Sequence, residues 1–333
     1  MLKIFKAFFP RKIVGIDIGT ASIKIVEISC WGNSKRLTNY GEVKLPSYKK
    51  ENLSDANLSN NVISNDVASS TIKAILVEAG IKAKSAIFSV PDFYTFCTSF
   101  DIPPMPAREI TGAVLYNASR YITSPISEVS LDYKIISEFP SGSNYPIKIF
   151  IVAIPKRIIE DYKLIAKNAG LELVAVESEV YGITKAFIKD NLPAKVGIST
   201  ICIVDIGAQS STINIIDKGF LKKSYSSNFN SSKFTDNVTP LLSSLDPFLV
   251  EIKNIVNDFS QSDQKTIEEF YLSGGAANIP GLKEYFAKNI GRQVSLPNCF
   301  STVLYPSLIK ETIHEMSPRF SAALGVALDG LEI

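Results

Sequence analysis

Two stretches of this chain repeat one pattern of apolar and polar residues. In each stretch a run of β-branched residues is followed by a short turn that contains glycine, and a second such run follows at once. The four runs are residues 13–18, 23–29, 201–206 and 211–216. Runs of this kind on either side of a Gly-containing turn predict β-hairpins. The repeat therefore predicts two similar domains that face each other across a cleft.

Strand and helix signals alternate between the two hairpins. Residues 52–70 are rich in Asn and Ser and predict a loop, which leads into a helix near 67–79 that Gly80 ends. A strand over 85–90 ends at Pro91, and a helix and a strand follow over 157–169 and 171–176. This alternation is typical of a parallel α/β sheet.

Residues 92–156 interrupt the alternation. Their pattern predicts a strand, a helix and two further strands, over 94–102, 106–121, 129–138 and 147–154. That order favours a small α+β insert in the first domain. In the second half we expect a third strand after the hairpin, a helix near 247–259, a short strand before Ser273 and a helix over 283–289.

Composition limits the classes of function. The chain has 333 residues, of which 46% are hydrophobic, so it is long enough for two domains with their own cores. Its 35 Lys and Arg against 33 Asp and Glu give a net charge of +2, which provides no general reason to bind nucleic acid. The apolar runs are shorter than the ~18–20 residues that cross a bilayer, which predicts a soluble protein without a transmembrane segment. Residues 1–10, apolar and basic, could touch a membrane surface or a partner, or could pack as a strap on the first domain.

Cysteine and histidine form no recognisable site in the sequence. The four cysteines are scattered without a CxxC pair, so neither a disulfide framework nor a zinc site is indicated, and a reducing cytosol fits. His314 lies in a polar stretch and is expected to be solvated rather than catalytic.

Both hairpin turns contain the sequence Asp-Ile-Gly, beginning at Asp17 and at Asp205. An Asp that ends a strand and precedes such a turn places a carboxylate beside backbone N–H groups that can hold phosphate oxygens. Two facing turns could hold a nucleotide polyphosphate, with the carboxylates binding Mg²⁺ mostly through water. A third element, Ser273-Gly274-Gly275, follows a predicted strand, and its glycines would let the backbone approach a nucleoside closely.

The order of these three elements resembles that of the actin, DnaK-chaperone and sugar-kinase superfamily. Four segments, residues 13–27, 102–106, 121–133 and 319–325, look like the PilM family of FtsA-like proteins of type IV pilus assembly, and the likeness runs from about residue 13 to 329. The resemblance implies an α/β fold in which two actin-like, ribonuclease-H-like domains enclose a nucleotide cleft. The implied divisions are a first domain of 11–91 plus 157–190 with an insert of 92–156, and a second domain of 191–225 plus 243–333 with a reduced segment of 226–242.

The resemblance also implies which residues would bind ATP and Mg²⁺. Asp17 and Asp205 would lie beside the metal, Lys24 would reach the phosphates, and Glu179 would orient a water molecule. The nucleotide would be held by Gly19, Thr20, Ala21, Ser22, Gly207, Ala208, Gln209, Ser210, Ser273, Gly274 and Gly275. Judged from the residues alone, Lys24 could equally be an exposed strand lysine, and Glu179 a solvated acid at the start of a helix.

The second half departs from the superfamily pattern. The interval between Asp205 and Gly274 is short, and the helical segment whose Glu and Lys hold the ribose has no evident counterpart. Glu251 and Lys253 are two positions apart, which points them away from each other on a helix, so we expect both to be solvated. The turn at 207–210 also has fewer glycines than in chaperones and kinases. We therefore expect nucleotide binding with at most weak ATPase activity.

The resemblance implies a cytoplasmic scaffold that lies at the inner face of the cell membrane through its partner. That partner would be the N-terminal cytoplasmic tail of a PilN-like single-pass membrane protein, bound as an extended peptide between the first domain and the insert. Aromatic residues in 93–96 could line this groove or belong to the core of the insert.

Two other functions stay open at this stage. One is an FtsA-like membrane-tethered filament protein, which would self-associate and is expected to carry a C-terminal amphipathic anchor that residues 330–333 do not provide. The other is a small-molecule kinase, for which Asp92 and Asp101 are weak candidates for a catalytic carboxylate.

Overall fold

The structure is a computed structural model that describes residues 10–45, 63–136, 145–188, 200–231 and 242–333. The predicted N-terminal strap, most of the predicted loop 52–70 and most of the segment 226–242 lie outside these residues. In the described part of the chain, no helix is both long and apolar enough to span a membrane.

Two five-stranded sheets repeat one topology. The first contains β1 (Arg11–Ile18), β2 (Ser22–Trp31), β3 (Ser34–Lys44), β4 (Ser85–Val90) and β8 (Glu172–Ser178). The second contains β9 (Thr200–Ile206), β10 (Ser211–Asp217), β11 (Phe220–Ser227), β12 (Glu269–Ser273) and β13 (Val294–Ser295). Their orders are β3-β2-β1-β4-β8 and β11-β10-β9-β12-β13, with three antiparallel strands followed by two parallel ones in each. This confirms the predicted repeat and the two-domain actin-like α/β fold.

The described residues form eight α-helices. They are α1 (Asn65–Glu78), α2 (Ala107–Ala118), α3 (Lys156–Ala169), α4 (Glu179–Ile188), α5 (Asp246–Asp263), α6 (Leu282–Ile290), α7 (Lys310–Met316) and α8 (Ser321–Gly330). Ser64 caps α1 by accepting a hydrogen bond from the Val67 amide, and Gly170 ends α3 with a φ of 76°. The apolar faces of α1 and α3 pack together on one side of the first sheet, and those of α5 and α6 pack on the second sheet.

The other side of the first sheet is covered by α4 and by the last helix, α8. These helices approach so closely that a Cβ atom on Gly325 would overlap the backbone of Gly182. Gly15 of β1 similarly faces Ala323 and Ala327 of α8. Although the predicted division assigned 321–330 to the second domain, this helix packs on the first sheet, and thereby ties the end of the chain to its beginning.

The insert forms a sheet of its own, built from β5 (Phe96–Ile102), β7 (Ile147–Pro155) and β6 (Val129–Ile135) in that order. Helix α2 covers one face of this sheet. Phe150, from the opposite face, joins the buried cluster between the halves, and the Ser99 hydroxyl donates to the Lys222 carbonyl oxygen of β11 at 3.3 Å. The insert thus contacts both halves of the molecule.

Three details differ from the sequence prediction. Strand β3 was not predicted, because its residues are mostly polar and only Leu37 is buried. Strand β5 begins at Phe96 rather than 94, since Asp92–Tyr94 form a 3-10 helix after Pro91. Helix α2 ends at Ala118, three residues before its predicted end.

Candidate functional site

A cleft of about 290 Å³ lies between the two hairpin turns. This volume is near the lower end of the ~300–1,000 Å³ that is common for ligand sites. The predicted residues that line it are Asp17, Gly19, Thr20, Ala21, Ser22, Lys24, Glu179, Asp205, Gly207, Ala208, Gln209, Ser210, Gly274 and Gly275. The structure therefore brings all predicted site residues to one cleft except Ser273.

The two turns have the same backbone arrangement. The amide of Gly19 donates to the carbonyl oxygen of Ser22 at 3.0 Å, and that of Gly207 to the carbonyl oxygen of Ser210 at 3.0 Å. A Cβ atom on Gly207 would lie 2.6 Å from the Ser210 oxygen, so this turn requires glycine. Both turns consequently present backbone to the cleft from opposite sides.

Asp17 is held in place by two neighbours. Its Oδ1 accepts from the Ser89 hydroxyl at 2.7 Å, and its Oδ2 lies 3.2 Å from the Lys24 ammonium. Burial by itself lowers the pKa of Lys24, but the carboxylates of Asp17 and Glu42 outweigh burial and raise it, so the side chain is charged. Lys24 is only 9% exposed, and the alternative of an exposed strand lysine is therefore wrong.

Asp205 occupies the matching position in the second half. It pairs in parallel register with Ser273 of β12, as Asp17 pairs with Ser89 of β4. Ser273 itself is fully buried, and its hydroxyl donates to the Pro318 carbonyl oxygen at 3.0 Å. The structure thus places Ser273 beside Asp205 in the sheet but outside the set of residues that line the cleft.

Gly274 and Gly275 form part of the cleft wall. Gly274 has a φ of 89°, and a Cβ atom there would lie 2.6 Å from the carbonyl oxygen of Ile206. At Gly275 an added Cβ atom would meet nothing within 4 Å, because this residue borders the open cleft. The backbone at this point can be approached closely by a ligand.

Acidic side chains concentrate in the cleft, and their environment favours the neutral form. Burial raises the pKa of Asp205 to about 6, although the Ser273 hydroxyl and Lys24 act against it. Burial, with the added charge of Asp17, raises the pKa of Glu179 well above its usual range. Burial and the charge of Asp205 raise the pKa of Asp92 to about 8. Glu179 begins α4, as expected of an acid at a helix start, and it is partly buried and lines the cleft.

Sequence reasoning missed several residues that line the cleft. The sequence suggested Asp92 only as a weak candidate for the catalytic carboxylate of a kinase. It did not indicate Glu42 or Arg319 as residues of the site. Arg319 donates to the Glu42 carboxylate at 3.0 Å, which joins the start of α8 to β3 across the cleft. The only signal for Arg319 was its place in the family-like segment 319–325.

Glu251, predicted to be solvated, accepts a hydrogen bond from the Ser227 hydroxyl at 2.6 Å.

The other candidate chemistries find no support in the structure. His314 is exposed, as predicted. Cys202 and Cys299 are buried, and burial raises the pKa of the Cys299 thiol to about 12. The four cysteines are free, which agrees with the prediction of no disulfide framework.

Two repeated sheets with paired Asp-Gly turns at the cleft between them define a protein of the actin-like ATPase-fold class. The family model for the type IV pilus assembly protein PilM matches residues 15–241 and 239–331, and the chain belongs to this family.

Solved structures agree with this fold. A PilM-PilN type IV pilus biogenesis complex matches with a TM-score of 0.80 and 22% identity, over 96% of this chain and 99% of that one. The ethanolamine utilization protein EutJ from Carboxydothermus hydrogenoformans matches with a TM-score of 0.54 and 16% identity, over 97% of this chain and 91% of that one. At these identities both matches establish the fold alone.

Proposed function

We propose that this chain is an ATP-binding scaffold of the type IV pilus assembly machinery, which binds the cytoplasmic segment of a PilN-like membrane protein. The observation that carries the nucleotide half of the proposal is the meeting of two Asp-Ile-Gly turns at one cleft. Their backbone N–H groups suit phosphate oxygens, and Lys24 adds a buried positive charge. The open space beside Gly275 suits a nucleoside.

Magnesium would accompany the nucleotide and neutralise charge on its phosphates. Among the described residues, no three acidic, histidine or cysteine side chains are placed to hold a metal ion directly. Mg²⁺ usually keeps several of its water ligands in proteins, so Asp17 and Asp205 would contact the hydrated ion. In this proposal Glu179 orients the attacking water.

Calorimetry tests the nucleotide half. We expect Mg·ATP to bind, and Asp17→Asn and Asp205→Asn each to weaken binding at least about tenfold. Asp258→Asn, at an exposed position on α5, is the matched control and should bind as wild type does. No heat of binding, together with an unchanged thermal midpoint at millimolar ATP, would show that this half of the proposal is wrong.

The proposed peptide groove lies between the insert and the first sheet. Strands β6 and β8 are the edge strands of their sheets in the described structure. The negative charge of Asp132 on β6 contributes to raising the pKa of Glu177 on β8, so these two side chains of the edge strands act on each other electrostatically. An extended peptide can pair with such an edge and place alternate side chains against apolar residues, here Ile135 and Val174, which are 39% and 40% exposed. The likeness of this chain to a protein solved as a PilM-PilN complex supports the choice of partner.

A labelled synthetic peptide with the sequence of a PilN-like N-terminal tail tests the groove. Ile135→Glu and Val174→Glu should each weaken binding at least about tenfold. Leu164→Glu is the control, since Leu164 is 46% exposed on α3. Charge reversal at the exposed residues Arg108 and Glu109 probes the α2 side of the insert. Loss of binding only in the α2 variants would place the peptide on that side of the insert instead.

The proposed location follows from the partner. The chain would lie in the cytoplasm at the inner face of the membrane, held there by the PilN-like protein. An FtsA-like filament protein is the second candidate, and sedimentation of the protein with Mg·ATP into polymer would favour it.

A further inference from the structure

Asp92 lines the cleft but comes from the insert rather than from either hairpin turn. It follows β4 and Pro91 and begins the 3-10 helix Asp92–Tyr94. The residue is 9% exposed, and its Oδ1 atom is buried without a hydrogen-bond partner among the described residues. Buried carboxylate oxygens normally have partners, so this atom calls for an explanation.

The internal repeat shows what position Asp92 occupies. Ser89 of β4 pairs with Asp17, and Ser273 of β12 pairs with Asp205, so the two serines are equivalent. Asp92 lies three residues beyond Ser89 and therefore corresponds to Ala276, the residue that follows Gly274 and Gly275 in the second half. The first half therefore presents a carboxylate where the second half has the small, buried side chain of an alanine.

The charges around Asp92 are mostly negative. The charge of Asp205 acts on Asp92, and that of Asp92 acts in turn on Glu179. The two buried or half-buried cations of the cleft are paired with other acids, since Lys24 lies 3.2 Å from Asp17 and Arg319 lies 3.0 Å from Glu42. A divalent cation between Asp92 and Asp205 would remove their repulsion and give the Asp92 oxygen a partner.

We propose that Asp92 is a carboxylate of the divalent-cation site of the cleft, contributed by the insert and acting opposite Asp205. It contacts the ion through water, because the described residues include no three ligands placed for direct binding. The proposal rests on the proposed function to the extent that this ion accompanies the nucleotide. It extends that function by making the insert a part of the ion site.

Mn²⁺ is the probe, measured by the loss of the free-ion electron paramagnetic resonance signal when the full chain is added. We expect wild type to bind Mn²⁺, and Asp92→Asn and Asp92→Ala to weaken binding at least about tenfold, both with and without ATP. Asp205→Asn is the positive control. Asp101→Asn, an exposed acid of the insert, should bind as wild type does. Circular dichroism and the thermal midpoint of each variant report whether it is folded.

The possible outcomes separate this proposal from the proposed function. Mn²⁺ affinity within about twofold of wild type in folded Asp92 variants, or no Mn²⁺ binding by wild type with or without ATP, overturns the role of Asp92. If ATP is not bound but Mn²⁺ is, and the Asp92 variants lose it, the ion site stands while the nucleotide function is wrong. In a third outcome, wild type and Asp92→Asn bind ATP with similar affinity in EDTA, but Mn²⁺ raises the ATP affinity of wild type only. Both the nucleotide function and the role of Asp92 are then supported.

Discussion

Individual acids in this protein differ in how well they are neutralised. Asp17 has a lysine and a serine hydroxyl as partners, whereas Asp92 has a buried oxygen atom without one among the described residues. Burial without compensation is unfavourable, and it is retained mainly where a ligand or a function requires it. The contrast between these two acids is therefore a reason to locate the site at this cleft.

Replacing Lys24 with Met should destabilise the fold. The change leaves the buried Asp17 carboxylate without its cation, which typically costs about 3 kcal/mol or more. Urea unfolding measures the loss. The double variant Lys24→Met with Asp17→Asn should recover a large part of it, since no charge is then left unpaired. Equal stability of the single and double variants would show that the pair is not what holds this site.

Glu177→Gln should remove a pH dependence of stability. Burial, together with Asp329 and Asp132 and against Lys185, raises the pKa of Glu177 from 4.5 to about 7. The folded state therefore binds the proton more tightly than the unfolded state, and the stability of the wild type falls as the pH rises from about 4.5 through 7. We expect the Gln variant to be more stable than wild type by about 2 kcal/mol at pH 8 and by little at pH 4.5. Urea unfolding at both pH values checks this. An equal difference at the two values would contradict the shift.

At the scale of elements, glycine sets the distance between the helices under the first sheet. Gly325 of α8 meets Gly182 of α4 backbone to backbone, and Gly15 lets α8 lie close against β1. Side chains at these positions would push the helices apart and open the buried cluster that they cover. The packing of α4 also matters to the cleft, because Glu179 begins this helix.

The Gly325→Ala substitution should therefore be strongly destabilising, even though alanine has a higher helix propensity than glycine. The added methyl group would overlap the Gly182 carbonyl oxygen, and the resulting overpacking typically costs about 1–3 kcal/mol or more. Gly112→Ala on α2 is the control, because an added Cβ atom meets nothing within 4 Å there, and it should stabilise by about 0.5–1 kcal/mol. Thermal denaturation of both variants distinguishes the effects. A Gly325→Ala protein as stable as wild type would show that α4 and α8 can separate without cost.

At the scale of the whole molecule, the two halves are joined at several separate places. Helix α8 returns to the first sheet, and Arg319 pairs with Glu42 across the cleft. The insert contacts the second half through the hydrogen bond from the Ser99 hydroxyl to the backbone of β11. It also forms an ion pair there, since Lys148 Nζ lies 3.7 Å from Oδ1 of Asp263 on α5. A ligand that binds between the halves can change their relative orientation only if it binds one orientation more tightly than another.

We expect ATP hydrolysis to be absent or slow, with turnover well below about 1 s⁻¹, the lower end of common enzymes. Catalysis in phosphoryl transfer depends mainly on positioning, and the short interval between Asp205 and Gly274 leaves little chain to hold the ribose. A phosphate-release assay over hours measures the rate. Glu311→Ala is the control, because Glu311 is exposed. Turnover above this rate that is lost in Glu179→Ala but retained in Glu311→Ala would contradict the expectation.

The sequence by itself determined the repeated hairpins, the insert and the positions of the turns. Each of these features is local, because strand periodicity and the glycines of a tight turn are legible within about ten residues. The two equivalent Asp-Ile-Gly turns were enough to predict a cleft lined by Asp17 and Asp205. The four family-like segments were enough to indicate the family. Strand β3 could not be predicted in the same way, since a polar edge strand shows little alternation.

Only the tertiary structure decided which side chains meet and which are buried. The approach of Gly182 and Gly325, the pairing of Arg319 with Glu42 and the location of Ser273 beside Asp205 join residues far apart in the chain. The pKa of a carboxyl such as Asp92 depends on its burial and on neighbouring charges, which the sequence does not order in space. Local patterns thus fixed where the backbone turns, while long-range packing decided the chemistry of the cleft.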